Sequence, residues 1–195
     1  MFGRFRRAWE QFKAARIPRD KLVAQIVIGP NALALQAVAV LQEKLCLYDG
    51  SLRGVNLSGA KLQNARIARA NLEGANLSRA NLAGAYLGVT NLRSANLQGA
   101  ILREANLREV ILPAADLTGA DLRSAHLAAA NLAGANLGAA DLQKANLWRA
   151  NFKGANLVGA NLSGAKLYLT EFDTQTTLPD GTRWTPETDM AKYIN

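Results

Sequence analysis

Large apolar side chains return at every fifth position from Leu52 to Phe172 without a slip. Of these 25 centres 22 are leucine, and the others are Ile67, Phe152 and Phe172. A period of five belongs neither to an α-helix, at 3.6, nor to a flat strand, at 2. Two residues before the centre, alanine occurs 20 times in 25, with Gly50, Val55, Thr90, Val110 and Thr170 as exceptions. One residue before it, Asn or Asp occurs 16 times, and two residues after it glycine occurs ten times. The centre and the preceding alanine lie one strand period apart, so both side chains point the same way. The Asn or Asp between them then points to solvent. Glycine two past the centre suits a turn residue with positive φ, as in a type II turn. Each step is therefore a short extended piece and a corner, and the run winds into a solenoid lined by leucine and alanine.

The flanks follow other patterns. Residues 22–41 carry no charge and approach membrane-spanning length. Gly29-Pro30-Asn31 interrupts them, however, and reads as a turn between two short elements. As a signal peptide the stretch would have a long leader containing Glu10 and Asp20. Residues 31–47 predict a helix capped by Asn31, with Leu33, Ala37, Val40 and Leu41 facing the solenoid. At the other end residues 178–182, LPDGT, predict a turn. A helix is then expected from Thr185 as N-cap and Pro186 as first residue. Trp184, Met190, Tyr193 and Ile194 would pack over the last leucines, because an uncovered coil edge invites further pairing. In residues 1–17 Phe5, Trp9 and Phe12 share one side of a helix and Arg6, Arg7, Lys13 and Arg16 the remainder. Such a basic amphipathic helix docks on its own chain, a partner or a membrane surface.

The A-(N/D)-L-x-x run resembles the pentapeptide-repeat family, of the bacterial type with an N-terminal helical cap and an LPDG-type tail. The resemblance implies an all-β solenoid, a right-handed quadrilateral β-helix of about six coils with helical caps at both ends. Stacked at strand spacing, those coils make a rod roughly 30 Å long. The chain divides into a basic amphipathic helix at 1–20, a helical cap at 21–49, the repeat array at 50–172 and a cap with a short helix at 173–195. The tail resembles the segment that closes many bacterial arrays. Some family members dimerise through it, which makes Trp184, Met190 and Tyr193 candidate dimer contacts as well as cap contacts. Other members mimic duplex DNA and bind type II topoisomerases, a role that needs an acidic rod.

Charge speaks against that role here. The chain carries a formal +8, and the array a net +6. Sorting outward residues on four walls places +4 of it on the wall with centres 67, 87, 107, 127, 147 and 167. Arg66, Arg69, Tyr86, Arg108, His126, Trp148, Arg149, Lys166 and Tyr168 lie there, and arginine and large aromatics are enriched at binding hot spots. This wall is the candidate interaction face. No catalytic, cofactor-binding or metal site is expected. Asp121 and Asp141 stack one coil apart but without a cleft, and His126 has no second ligand type beside it. The single cysteine, Cys46, excludes an internal disulfide and suits a buried packing role in a reducing compartment. The chain reads as a non-enzymatic, cytoplasmic protein-interaction scaffold without a cofactor. Nucleic-acid binding through the basic wall and membrane association through residues 1–17 are the alternatives.

Overall fold

The computed structural model describes residues 18–43 and 46–195. A full five-residue step uses its five main-chain N–H groups as residues 80–84 do. Ala80 N–H closes a turn onto Leu77 O at 3.0 Å. Asn81 reaches back to Ala60 O, while Leu82 and Gly84 reach forward to Ile101 O and Arg103 O, at 2.7–2.9 Å. The fifth donor, Ala83 N–H, is accepted by the Asn81 side chain at 3.2 Å. Every Asn or Asp of the motif makes this bond to the residue two ahead, from Asn56 to Ser58 through Asn161 to Ser163. These side chains face outward, but their work is an Asx turn that satisfies the donor at the corner.

The turn bond spans three residues, and the residue two past the centre is left-handed, as at Gly59 with φ 68°. Positive φ at the third turn residue alone is the type II pattern. Parallel pairs join residues 20 apart, from Asn56–Asn76 through Asn151–Glu171, so four corners complete one coil. The walls are numbered here by their centres: the first from Leu52, the second from Leu57, the third from Leu62 and the fourth from Ile67. Inside, the centres from Leu62 to Leu157 expose at most 4% of their surface. A void of about 10 Å³ lies under the N-terminal cap among Ile26, Leu41, Leu47 and their neighbours, which is room for about one water at most.

Two helices cover the first coil: α1 (Arg19–Ile28) and α2 (Asn31–Glu43), separated by Gly29 and Pro30. Leu22 and Ile26 of α1 and Ala34, Ala37, Val38, Val40 and Leu41 of α2 are buried. Two expectations need correction. Leu33 is 41% exposed, because the inward stripe of α2 runs one residue later, through Ala34 and Val38. Asn31 does not cap α2: Pro30 O accepts the Leu33 and Ala34 N–H groups, and the Asn31 amide donates to Gln63 O of the first coil. Cys46 is half-buried against the core, and α2 ends at Glu43.

The coil does not stop at Phe172. One extra residue enters, Thr177 pairs with Asn156, and Thr176 and Leu178 occupy the alanine and leucine positions, both buried. Asp173 holds the insertion by accepting Gly154 N–H at 2.9 Å, while the Thr176 hydroxyl donates to Phe152 O at 2.9 Å. The chain then turns back, Thr177 against Arg183, with Gly181 at φ 83°. Trp184 stacks on Phe172 with 6.2 Å between centroids, and Phe172 on Phe152 at 5.7 Å. The expected helix from Thr185 is absent. The Thr188 hydroxyl accepts Thr185 N–H at 2.9 Å and holds a turn there, and only α3 (Ala191–Ile194) is helical. Among the described residues no helix is long and apolar enough to cross a membrane.

Candidate interaction surface

Unbroken register puts all nine candidate residues on the fourth wall. The outward ladder reads Arg66, Tyr86, Asn106, His126, Asn146, Lys166, each paired to the next through the main chain. Arg108, Trp148 and Tyr168 follow on the turn positions beside it, and Arg69 and Arg149 on the left-handed corner. All nine are exposed, Tyr168 most among the aromatics at 70%. From Asn56 to Glu171 eight ladder positions lack Asn or Asp, and four of the eight stand on this wall: Arg66, Tyr86, His126 and Lys166. Each forgoes the side-chain acceptor that the repeat otherwise supplies.

The walls also differ in how their charges are used. On the first wall Arg53 pairs with Glu73 and Lys153 with Glu171, both at 2.7 Å. On the third, Arg103 and Arg123 hold Asp121, and Arg123 reaches Asp141 at 3.6 Å. These ion pairs tie Asp121 and Asp141 into a surface ladder. On the fourth wall no cation has a carboxylate within 4 Å among the described residues. Two stack on aromatic rings instead, Arg66 over Tyr86 at 5.8 Å and Arg149 over Trp148 at 5.2 Å. Such stacking leaves the guanidinium edges free to bond a partner. Near the C-terminal end, Trp148, Arg149, Leu169, Thr170 and Glu171 line a shallow, solvent-open depression of about 680 Å³. Lys153 holds the carboxyl of Glu171 below its usual range, and Glu109 adds a second carboxylate to the lining.

The structure does not bring Trp184, Met190 and Tyr193 to this wall. They lie half-buried in the tail, with Tyr193 against the core. The amphipathic segment at residues 1–17 lies outside the described residues. Val89 and Leu169, 45% and 54% exposed, add apolar surface to the fourth wall. Their left-handed position, filled by glycine in ten of the 25 steps, is the signal that marks them.

Coils of 20 residues, four type II corners each and a filled apolar column define a quadrilateral β-helix, the right-handed solenoid of pentapeptide repeats. The model of pentapeptide repeats matches residues 51–88, 90–127 and 130–167, and the chain belongs to the pentapeptide-repeat family. No curated protein sequence matches it significantly. Among solved structures it is similar to the pentapeptide-repeat protein Rfr23 from the cyanobacterium Cyanothece 51142, with 34% identity over 64% of this chain and 88% of that one, TM-score 0.37. A pentapeptide-repeat protein from Nostoc Pcc 7120, alr5209, is 35% identical over 50% of this chain and 80% of that one, TM-score 0.43. QnrB1, a plasmid-mediated fluoroquinolone resistance protein, is 25% identical over 70% and 78%, TM-score 0.46. The family match and the coil geometry of the chain itself carry the assignment.

Proposed function

We propose that this chain is a non-enzymatic interaction rod whose fourth wall docks a protein partner. One observation carries the reading: a single wall of four gathers five cations without ion pairs among the described residues, together with Tyr86, Trp148 and Tyr168. Elsewhere on the array Arg53, Arg103, Arg123 and Lys153 are engaged with neighbouring carboxylates. A filled column leaves no internal room for a ligand, so recognition falls to the outside. Hot-spot aromatics contribute about 2 kcal/mol each, or roughly thirtyfold in affinity.

The test uses the full chain immobilised and exposed to extract of its native cell. Proteins retained by the wild type should be lost from a Trp148→Ala, Tyr168→Ala double variant that unfolds at the same urea concentration. Retention of the same proteins by both chains would remove the fourth wall from consideration.

A further inference from the structure

The fourth wall ends in an open rung. One coil below the end, Lys166 N–H donates to Ala145 O, and Leu147 and Arg149 N–H donate to Lys166 O and Tyr168 O, at 2.9–3.0 Å. On the last coil the corresponding groups, Ala165 O and the N–H groups of Leu167 and Leu169, have no partner among the described residues. The tail serves the other walls: Thr177 continues the second, Ile194 O accepts Gly164 N–H on the third, and Trp184 stacks over Phe172 at the first. No main-chain bond from the tail reaches the fourth. At the opposite end of this wall the Gln42 amide donates to Arg66 O at 2.7 Å.

We propose that this rung docks an extended acidic segment of a partner protein, which adds one step to the ladder beside Lys166 and Arg149. The inference rests on the fourth wall being the interaction surface and names the chemistry of what binds there. An unpaired edge is a template for another extended chain. Its order is acceptor, donor, donor, which a peptide meets with one N–H and two C=O groups. A phosphodiester backbone only accepts, and so leaves Ala165 O unmet. Tyr168 and Leu169 offer apolar contact to alternate side chains of the segment, while Lys166 and Arg149 select carboxylates. A second copy of this chain would bring the same cations and repel.

The full-length chain, labelled with ¹⁵N, is tested with a ten-residue peptide alternating Glu and Val, acetylated and amidated. A Lys–Val peptide and ten-nucleotide oligo(dT) serve as comparison probes. In the free chain the Leu167 and Leu169 amides should exchange with solvent freely, while those of Leu147 and Arg149 are protected. The Glu–Val peptide should slow the first pair at least tenfold. Lys166→Glu with Arg149→Glu should weaken its binding tenfold or more, read by fluorescence anisotropy, and Arg93→Glu on the first wall less than twofold. The proposal falls if the peptide does not bind, or binds without protecting those amides. Equal protection by oligo(dT) or by the Lys–Val peptide overturns it too, as does protection in the free chain that disappears on dilution. If only these results fail, capture through Trp148 and Tyr168 still stands; if capture fails, both readings go.

Discussion

Val89 holds φ at 59°, a conformation that a β-branched residue avoids, because its Cβ crowds the following carbonyl. Thirteen other non-glycine residues of the array share that corner conformation, Arg69, Arg149 and Leu169 among them. The cooperative ladder holds them there, so strain is the companion of side chains displayed on the corners. Val89→Gly should therefore raise the unfolding free energy by about 1 kcal/mol in urea titration. Gly119→Val should lower it by about 1–2 kcal/mol, since an added Cβ there meets nothing within 4 Å and only the cost of holding valine at positive φ remains. No difference in either variant would mean that the corners are unstrained. The corner itself was legible in the sequence from ten glycines in register. The second role of Asn and Asp was not read, although the two-residue reach of an Asx turn fits the motif spacing.

At the level of elements, the tail is a clasp made by charge as well as by stacking. Lys192 Nζ lies 2.7 Å from Asp180 and 4.7 Å from the Tyr193 ring centre. The bond to Lys192 holds the Asp180 carboxyl far below the usual carboxylate range, and the same bond pushes Lys192 up to about 12. A depressed acid stabilises above its unfolded value of 3.8 and loses that as pH falls through its folded value. A raised lysine stabilises below 10.5 and loses that as pH rises through about 12. The clasp should thus be fully closed between about pH 4 and pH 10.5 and loosen outside that window. The Trp184 indole resonance reports it, and an unchanged resonance from neutral pH to pH 12 would show that the ion pair does not hold the tail. Both caps were visible in the sequence as non-repeating flanks, but their details were misread for a common reason. Asn31 and Thr185 carry the side chains of helix N-caps, yet other hydrogen bonds won: the Asn31 amide donates to Gln63 O across the fold, and the Thr185 N–H donates to the Thr188 hydroxyl in a local turn.

For the molecule as a whole, register converts sequence distance into direction. Residues 20 apart share a wall and residues five apart turn a corner, so the fourth wall exists only while every step has five residues. Deleting residues 112–116 should leave a folded rod but move His126, Trp148, Lys166 and Tyr168 one wall round, away from Arg66, Arg69 and Tyr86. Deleting 20 consecutive residues, 107–126, should shorten the rod and keep the remaining wall aligned. Partner capture by the two chains, with circular dichroism to confirm folding, compares them. Equal capture would mean that the two halves of the wall act separately. The wall was legible because the array contains no insertion between Leu52 and Phe172. The continuation to Leu178 was not, because one added residue hides the next leucine from a search by fives.

That added residue has a further consequence for how the protein behaves in a crowded solution. A solenoid with two flush ends would polymerise into a filament, each molecule seeding the next. Here the offset at Asp173 and the folded-back strand after Leu178 leave no level platform at one end, and α1 and α2 roof the other. The ends of the rod are thus shaped against flush end-to-end stacking, while the fourth wall keeps a short gap where foreign backbone can enter.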